Sequence, residues 1–476
     1  MSIAKPKLNY IILLCLGLVF GVLSIYLPLT MVVMLIGGLA FAIFTFFALE
    51  ISIGMFIIVM SATPHHMWNN MYIFLAAVFY SAVLLAQVLV KKRKGFSVKN
   101  ISVPLIFFVF FATYSVFIST DVADSMRIYL LLISCILISI ILMGILDSKK
   151  SMNILLSSIC VGVLLTSLYG LYQRITGVTI RAEFIDLFLR IQMPARIYST
   201  LDNPNNFAEY LVMFLPLCIS YMIIAKSENK KLVIGCIIAL GVFNLVYTLA
   251  RASYIVFALG MVVYVMLVKK RLIPFGFIAA IAIIPFLPDF IINRLLTIGT
   301  DTSSEYRMLI WGASLRMVEN YWVSGIGIGP AAFRNVYLIY AHRLAERALH
   351  SHNLLLNIFI EMGIGGILSF LLLMLATVKN SLKAYFDTKD SYYRVLLSGC
   401  IAALVAIAFF GAVEYIWFYP RVMLTFWVVM GISFAGVKLS REERVESGEW
   451  RVESGEWIEE ETETALGNLA EAGESK

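Results

Sequence analysis

Long apolar runs constrain this chain more than any other feature of its sequence. A run of about twenty apolar residues is long enough to cross the hydrocarbon core of a bilayer as a helix. Such runs predict spans near 9–28, 30–48, 50–64, 72–90, 101–118, 126–146, 152–173, 207–225, 232–249, 254–268, 272–289, 352–377, 394–412 and 421–438. Because the first three are crowded, we predict an all-α polytopic membrane protein with roughly 12–14 transmembrane helices.

The composition supports this class and excludes others. Of the 476 residues, 61% are hydrophobic and 14% are charged, whereas a soluble protein is roughly half apolar and a quarter charged. So few charged residues cannot cover a core of this size in water. A soluble enzyme, a secreted disulfide scaffold and a disordered protein are therefore excluded, and residues 1–438 are expected to form one transmembrane domain.

The lysines predict the orientation of the chain. They cluster in loops that all fall on one side of the predicted bundle, at 91–94, 149–150, 226–231, 269–271 and 379–394. Positively charged loops mark the cytoplasmic side of a membrane protein. We therefore expect a multi-pass protein with both termini in the cytoplasm. The first apolar run, which follows Lys5 and Lys7, is expected to be a retained signal anchor.

Two long segments on the opposite side, 174–206 and 290–351, have a different charge pattern. Together they contain ten arginines and no lysine. Arginine binds phosphate or carboxylate through two parallel hydrogen bonds, which lysine cannot do. An outer face with arginine alone favours an anionic ligand at the outer leaflet. The alternative is that these arginines pair with the acids of the same segments.

The segment 290–351 is too long for an idle connection, so we expect it to be functional. Two apolar stripes at helical spacing predict amphipathic helices within this extracytoplasmic loop. The stripes are Met308, Trp311, Leu315, Val318 and Trp322, and then Phe333, Tyr337, Tyr340, Leu344 and Ala348. We expect these helices to lie on the membrane surface, where they either pack against the bundle or form the roof of a lipid-facing cavity.

The C-terminal segment 439–476 differs in composition from the rest of the chain. It contains the sequence RVESGEW twice, at 444–450 and 451–457, and twelve glutamates against four basic residues. Such an acidic and repetitive composition predicts a disordered cytoplasmic tail without a chemical role.

Histidine is well suited to act as a base near neutral pH. All five histidines fall on the outer side: His65, His66, His342, His350 and His352. His352 lies where the long segment enters the next span, although a histidine at such an interface is more often a capping or packing residue. A metal site formed by His350 and His352 is not favoured, because no cysteine and no i,i+4 pair supports it. The prediction is that the protein uses no metal and no cofactor.

One motif around His352 is specific. His352 and Asn353, nine further residues, and then Gly363 and Gly366 form the pattern HN-x9-GxxG. Three other stretches accompany it: RIYSTLDNPNNFA from Arg196, TLARA around Arg251, and the segment from Arg307 to Phe333. With these motifs the chain resembles the O-antigen ligase and polysaccharide polymerase superfamily over about 190–370. Ala250 departs from the family pattern, which has a serine before the turn arginine.

The resemblance implies a function. Members of this superfamily are metal-independent, GT-C-like glycosyltransferases of the bacterial plasma (inner) membrane, and they use glycans carried on undecaprenyl diphosphate at its outer face. By the match, Arg196 and Arg251 would bind the diphosphate and stabilise it as it leaves. His352 would accept the proton of the attacking sugar hydroxyl, in a direct displacement without a covalent enzyme intermediate.

The resemblance leaves the acceptor open. A polymerase would add the glycan to another lipid-linked repeat, a ligase to lipid A core, and a protein O-oligosaccharyltransferase to a serine. The rival class is a flippase or transporter of the lipid-linked oligosaccharide. Such proteins commonly contain internal repeats and polar groups at the midplane, whereas this chain has no internal repeat in its body and its polar groups cluster outside.

Further polar residues are secondary candidates for substrate binding. Asn205 and Asn353 are candidates for orienting His352 or the sugar, with helix capping as the alternative. Arg307 is a candidate for a second contact to the diphosphate, with pairing to Glu305 as the alternative.

Two more features of the sequence lie outside the predicted site residues: an aromatic connection between two spans and a glycine-rich segment. Glu414 and Arg421 flank three aromatic residues between two spans, a pattern typical of an interfacial anchor belt, with a sugar-binding lip as the alternative. The segment GIGIG at 325–329 lacks the strand–turn–helix context of a nucleotide loop, so that function is excluded.

Overall fold

A computed structural model of the chain describes residues 28–93, 102–177, 196–283, 302–446, 450–453 and 456–459, and the single positions 285, 289, 292 and 296. The helices in these residues are α1 Leu29–Phe47, α2 Leu49–Ala62, α3 Met71–Leu89, α4 Val103–Phe117, α5 Val122–Ile145, α6 Lys149–Thr176, α7 Pro204–Ile224, α8 Glu228–Tyr247, α9 Arg251–Lys269, α10 Ile273–Ile283, α11 Thr302–Tyr321, α12 Pro330–Tyr340, α13 Leu354–Asp387, α14 Ser391–Phe410 and α15 Pro420–Glu446. The predicted all-α polytopic class is confirmed.

The helices account for most of the predicted spans. Ten helices in the described residues are long and apolar enough to cross a membrane, and α2 and α4 are shorter apolar helices. The span and signal anchor predicted near 9–28 lie almost wholly outside the described residues, as does part of the span near 272–289.

Three helices form the centre of the bundle. In α7, α14 and α15, 78%, 72% and 89% of the most apolar window is buried. α7 packs against α14, and α15 packs against α5. Two residues of the candidate site described below, Asn205 and Glu414, lie at the start of α7 and between α14 and α15.

Ion pairs join helices at the end of the bundle that carries the lysine-rich loops. Arg93 pairs with Glu50 at the start of α2 and with Asp147 after α5, with 2.9 Å between Nη1 of Arg93 and Oδ2 of Asp147. Arg93 also donates to the carbonyl of Ile145. This arginine therefore fastens two helix ends to the end of α3.

α13 is interrupted at Gly363, the first glycine of the GxxG pattern. Gly363 has φ 65° and ψ −167°, and a Cβ there would lie 2.2 Å from the carbonyl oxygen of Val323. Only glycine tolerates this backbone conformation together with so close a neighbour. The glycine of the motif is thus explained by a helix break rather than by helix–helix approach alone.

The GIGIG segment supplies the backbone partners that the broken helix lacks. The amides of Ile326 and Gly327 donate to the carbonyls of Ile360 and Glu361, at 3.0 and 3.2 Å, and the amide of Ile364 donates to the carbonyl of Trp322 at 2.7 Å. Freed backbone groups within a membrane must be paired internally. The role of GIGIG in the fold is therefore to complete α13.

Residues 302–349, which we call the lid, contain α11 and α12. Met308, Leu315 and Trp322 of the first predicted stripe are 63%, 55% and 53% exposed, whereas Phe333 and Tyr337 of the second stripe are fully buried. The predicted helices are present. The second stripe, however, packs largely against α11 rather than lying on a surface.

The C-terminal segment differs from the prediction at its start. α15 extends to Glu446, past the predicted boundary at 439. Part of the segment predicted to be disordered is an antiparallel pair of strands, β1 Trp450–Glu453 and β2 Glu456–Glu459. β1 spans the junction of the two RVESGEW copies, and β2 consists of the last two residues of the second copy and the two residues that follow it.

Candidate active site

His352 lies at the junction of the lid and α13. Its backbone is in the left-handed region, with φ 50°, which is strained for a residue with a side chain. Asn353 caps α13, because its Oδ1 accepts from the amide of Leu356 at 2.9 Å, and its Nδ2 donates to the carbonyl of Ala412 at 2.8 Å. The helix cap therefore fixes His352 beside the connection between α14 and α15.

Glu414, in that connection, is the direct partner of His352. Nδ1 of His352 and Oε1 of Glu414 are 2.7 Å apart, and Glu414 is only 5% exposed. Its other oxygen, Oε2, accepts from Nη2 of Arg307 at 3.2 Å and from Nδ2 of Asn205 at 3.1 Å. One buried carboxylate thus joins the predicted base to two of the predicted binding residues.

The surroundings of Glu414 favour its ionised form. Burial acts to raise the pKa of this carboxyl, but the charge and hydrogen bond of His352, with the charge of Arg307, outweigh burial, so the pKa lies below its ordinary value. An ionised carboxylate only accepts hydrogen bonds. The proton between the two groups therefore belongs to Nδ1 of His352, and in the neutral form of the ring Nε2 is the nitrogen with a lone pair.

The Asn-Pro-Asn sequence positions Asn205. Asn203 is the N-cap of α7, since its Oδ1 accepts from the amide of Asn205 at 2.8 Å, and Pro204 occupies the first turn. Both residues favour a helix start. Asn205 in turn accepts from Nη2 of Arg196 at 2.8 Å, so this amide bridges Arg196 and Glu414.

Four of the predicted site residues line one cavity of about 480 Å³: Arg196, Asn205, Arg251 and Arg307. The remaining walls are mainly apolar and include Leu249, Ile255, Met308, Trp311, Phe410 and Val413. Three arginines beside an apolar wall suit a ligand with an anionic head and a hydrocarbon chain. His352 does not line this cavity; it is connected to it through Glu414.

Arg251 reaches the cavity from a tight turn between α8 and α9. Leu249, two residues earlier, has φ 52°, and Nε of Arg196 donates to the carbonyl of Thr248 at 2.9 Å. The strained turn therefore holds Arg251 next to Arg196. Ala250 is the N-cap of α9 and makes no side-chain cap bond.

Backbone strain is concentrated in this region. Five residues other than glycine have positive φ in the described part of the chain. One of them is His352 itself, and three others, Ser199, Asp202 and Leu249, lie within three residues of Arg196, Asn205 or Arg251 in sequence. The fifth, Lys91, lies at the opposite end of the bundle. Strained backbone that persists in a folded protein is typical of functional sites.

His350 completes the cluster. Its ring centroid lies 4.1 Å from that of His352, and its Nδ1 accepts from the amide of His352 at 3.2 Å. Burial, together with the charge of His352, lowers the pKa of His350 to about 3. His350 is therefore neutral at neutral pH and supports the backbone of its neighbour.

His350, His352 and Glu414 have possible metal-ligand atoms within 4.8 Å of one another. Three such ligands match a catalytic zinc site in number. The cluster is nevertheless accounted for by hydrogen bonds, because the Nδ1 atoms of both histidines already have partners in the protein. That the protein works without a metal remains a prediction.

The predicted anchor belt is wrong. Glu414, Tyr415, Trp417 and Arg421 are each no more than 6% exposed. Arg421 donates to the carbonyls of Thr63 and Thr200 at 2.8 and 2.6 Å, so these side chains form part of the core rather than an interfacial surface.

Residues 236–371 match the family model described as O-Antigen ligase. The matched segment contains Arg251, Arg307, His352 and the helix break at Gly363. This segment is therefore similar to an O-antigen ligase domain. Comparison with curated proteins gives no significant match.

The matched segment supplies only part of the candidate site. Arg196 and Asn205 precede residues 236–371 and Glu414 follows them, so the fold brings three separate segments together. The sequence interpretation placed Glu414 in an anchor belt, with a sugar-binding lip as the alternative, and did not predict its contact with His352. Its signal was a single acidic residue within an aromatic connection on the side that holds all five histidines.

Proposed function

We propose that the protein transfers a glycan from undecaprenyl diphosphate to a hydroxyl acceptor, as an O-antigen ligase or a polysaccharide polymerase does. The observation that carries this proposal is the His352–Glu414 pair beside a cavity lined by three arginines. The family match supports a glycosyl-transfer enzyme, and the geometry supports a role for each residue.

Arg196, Arg251 and Arg307 would bind the donor diphosphate. All three line the cavity, and guanidinium groups bind phosphate oxygens with paired, charge-assisted hydrogen bonds. The apolar wall beside them suits the first part of a polyprenyl chain. The same positive charge stabilises the diphosphate when the bond to the sugar breaks, because one further negative charge then develops on the leaving group.

His352 acts as the general base in this proposal. The acceptor hydroxyl gives its proton to Nε2 of His352 while its oxygen attacks the anomeric carbon, and the carbon–oxygen bond to the diphosphate breaks with its electron pair on the leaving group. Glu414 holds the ring through Nδ1 and balances the positive charge that forms on it, as the carboxylate of a catalytic triad does.

Replacement of His352 by alanine in cells tests the function. Loss of long surface chains with single repeats remaining would identify a polymerase, and full-length chains left on undecaprenyl diphosphate would identify a ligase. A normal surface glycan with normal expression of the variant would contradict the role of His352. Treatment of the purified enzyme with a chelator is expected to leave turnover unchanged.

Lysine variants test the paired hydrogen bonds separately. Arg196→Lys and Arg251→Lys keep the charge and lose the planar fork, so we expect turnover to fall by about tenfold or more. The matched control is Lys149→Arg, at the opposite end of the bundle, with turnover within about twofold of the wild type. Full activity of both lysine variants would show that charge alone suffices.

The proposed location is the bacterial plasma (inner) membrane, with the site outward and the termini in the cytoplasm. The lysine-rich loops support this orientation. A single exposed cysteine introduced at Leu344 should react with a membrane-impermeant thiol reagent in intact cells, whereas one at Lys389 should not. The reverse pattern would contradict the orientation.

A further inference from the structure

One face of α11 is turned toward the cationic cavity. Ser304, Arg307, Met308 and Trp311 all line it, and their spacing of three and four residues places them on a single side of the helix. α11 therefore contributes more to the cavity than the predicted contact of Arg307 alone.

Two residues of this face carry buried N–H groups for which the described part of the chain provides no acceptor. They are Nε of Arg307 and Nε1 of Trp311. Among the buried side-chain atoms without a partner in the described residues, these two alone belong to residues that line this cavity. A buried donor without an acceptor has lost its hydrogen bonds to water and has formed none in their place, which costs free energy. We therefore expect a bound ligand to supply the acceptor.

We propose that the indole N–H of Trp311 donates a hydrogen bond to a diphosphate oxygen of the donor. An indole only donates and a diphosphate oxygen readily accepts. Arg307, one turn earlier on the same face, binds the same group, so both N–H groups obtain acceptors in one event. This inference rests on the proposed function and adds a residue that the sequence placed only in an apolar stripe.

The decisive variant removes the N–H and keeps the shape of the ring. In Trp311→β-(3-benzothienyl)alanine, a sulfur replaces the indole N–H. We expect the full-length protein in detergent to bind inorganic pyrophosphate about tenfold more weakly, as for one hydrogen bond to a charged acceptor. The KM for the lipid-linked donor should rise by a similar factor, with kcat within about twofold.

Trp322 provides the matched control. It directly follows the C-terminal end of α11, is 53% exposed and does not line the cavity. The same replacement at Trp322 should leave pyrophosphate binding unchanged. Equal weakening at both positions would contradict a specific contact from Trp311.

A spectroscopic measurement separates the diphosphate from water as the acceptor. In protein labelled with ¹⁵N at the indole nitrogens, the resonance absent from Trp311→Phe identifies Trp311. Saturable movement of this resonance on titration with pyrophosphate is expected. If it does not move, or if the benzothienyl variant binds as well as the wild type, the acceptor is water or nothing and the inference is wrong.

Failure of this inference is distinguishable from failure of the proposed function. Arg196→Ala should weaken pyrophosphate binding whatever the role of Trp311. If Arg196→Ala weakens binding and the Trp311 variant does not, only the assignment of Trp311 fails. If neither variant affects binding, the cavity does not bind a diphosphate and the proposed function fails as well.

Discussion

The two ends of the bundle differ in how acidic and basic side chains are combined. At the lysine-rich end, one cation lies between two acids: Lys149 pairs with Asp390 and with Glu443, the latter at 3.2 Å. At the site, one acid, Glu414, lies between Arg307 and His352. The first arrangement neutralises a cation and joins helix ends. The second joins His352 to a cavity lined by three arginines, which suit a ligand with negative charge.

Burial distinguishes the two ends further. The Lys149 side chain is 44% exposed, whereas that of Glu414 is 7% exposed. Exposed pairs contribute little to stability because water and salt screen them. A buried carboxylate is strongly coupled to an arginine and a histidine that contact it directly. The comparison therefore teaches that ion pairs alone do not mark a site; the excess of cations, the burial and the adjoining cavity together do.

The largest expected effect comes from removing the charge at the centre of the site. Glu414→Gln keeps the shape but no longer balances the charge on His352 or fixes its tautomer, so we expect kcat to fall by about 10²–10³. Steady-state kinetics on purified protein measures this. The matched change at the other end, Asp147→Asn, removes an acid from a structural pair and should leave kcat within about twofold.

Two results would break this comparison. Near-normal turnover of Glu414→Gln would mean that His352 does not depend on the carboxylate. A fall in turnover for Asp147→Asn as large as that for Glu414→Gln would mean that the variants act through stability. Thermal unfolding of each variant in detergent separates the two explanations.

A smaller effect is expected in the pH dependence of stability. In the unfolded chain the pKa of a histidine is about 6.5, whereas burial holds the pKa of His350 at about 3. Between these values the unfolded state binds more protons, so stability falls as the pH falls through this window. The loss amounts to about 2 kcal/mol at pH 5.

His350→Gln provides the control for this effect. Glutamine keeps an acceptor for the amide of His352 and does not titrate. The difference in melting temperature between pH 7 and pH 5 should be smaller in this variant than in the wild type. An equal difference would assign the acid sensitivity to another group.

The smallest expected effect tests the departure from the family pattern. Ala250 has extended backbone as the N-cap of α9 and offers no side-chain acceptor. Ala250→Ser supplies one, so we expect a gain of about 1 kcal/mol in stability, measured by thermal unfolding, with turnover unchanged. Ala250→Thr should give a similar or slightly smaller gain, and Ala250→Val should give none. A large gain in turnover for serine would mean that the hydroxyl contacts substrate.

The arginine and asparagine candidates were found from sequence motifs, because short segments such as helix caps and tight turns have characteristic sequences. Arg196, Asn205 and Arg251 lie in or beside a helix cap or a strained turn, and such short segments have recognisable sequences. These three residues and Arg307 line one cavity. The roles assigned to these residues remain predictions.

The rest depended on tertiary structure. Glu414 meets His352 across 62 residues, and no local pattern records a contact between two such segments. The aromatic residues around Glu414 resembled an interfacial belt, because the sequence does not show whether such residues face the membrane or pack inside the protein. The break at Gly363 was likewise hidden, since its backbone partners come from the lid.

The joint between the lid and α13 determines how the cavity can widen. Three backbone hydrogen bonds fix residues 322–327 to residues 360–364, so a movement of α11 pivots at that end. Arg307 lies fifteen residues from Trp322, about 22 Å along a helix, and a tilt of roughly 10° would displace it by about 4 Å. A displacement of that size away from the connection between α14 and α15 would break the ion pair between Arg307 and Glu414, whose atoms lie 3.2 Å apart.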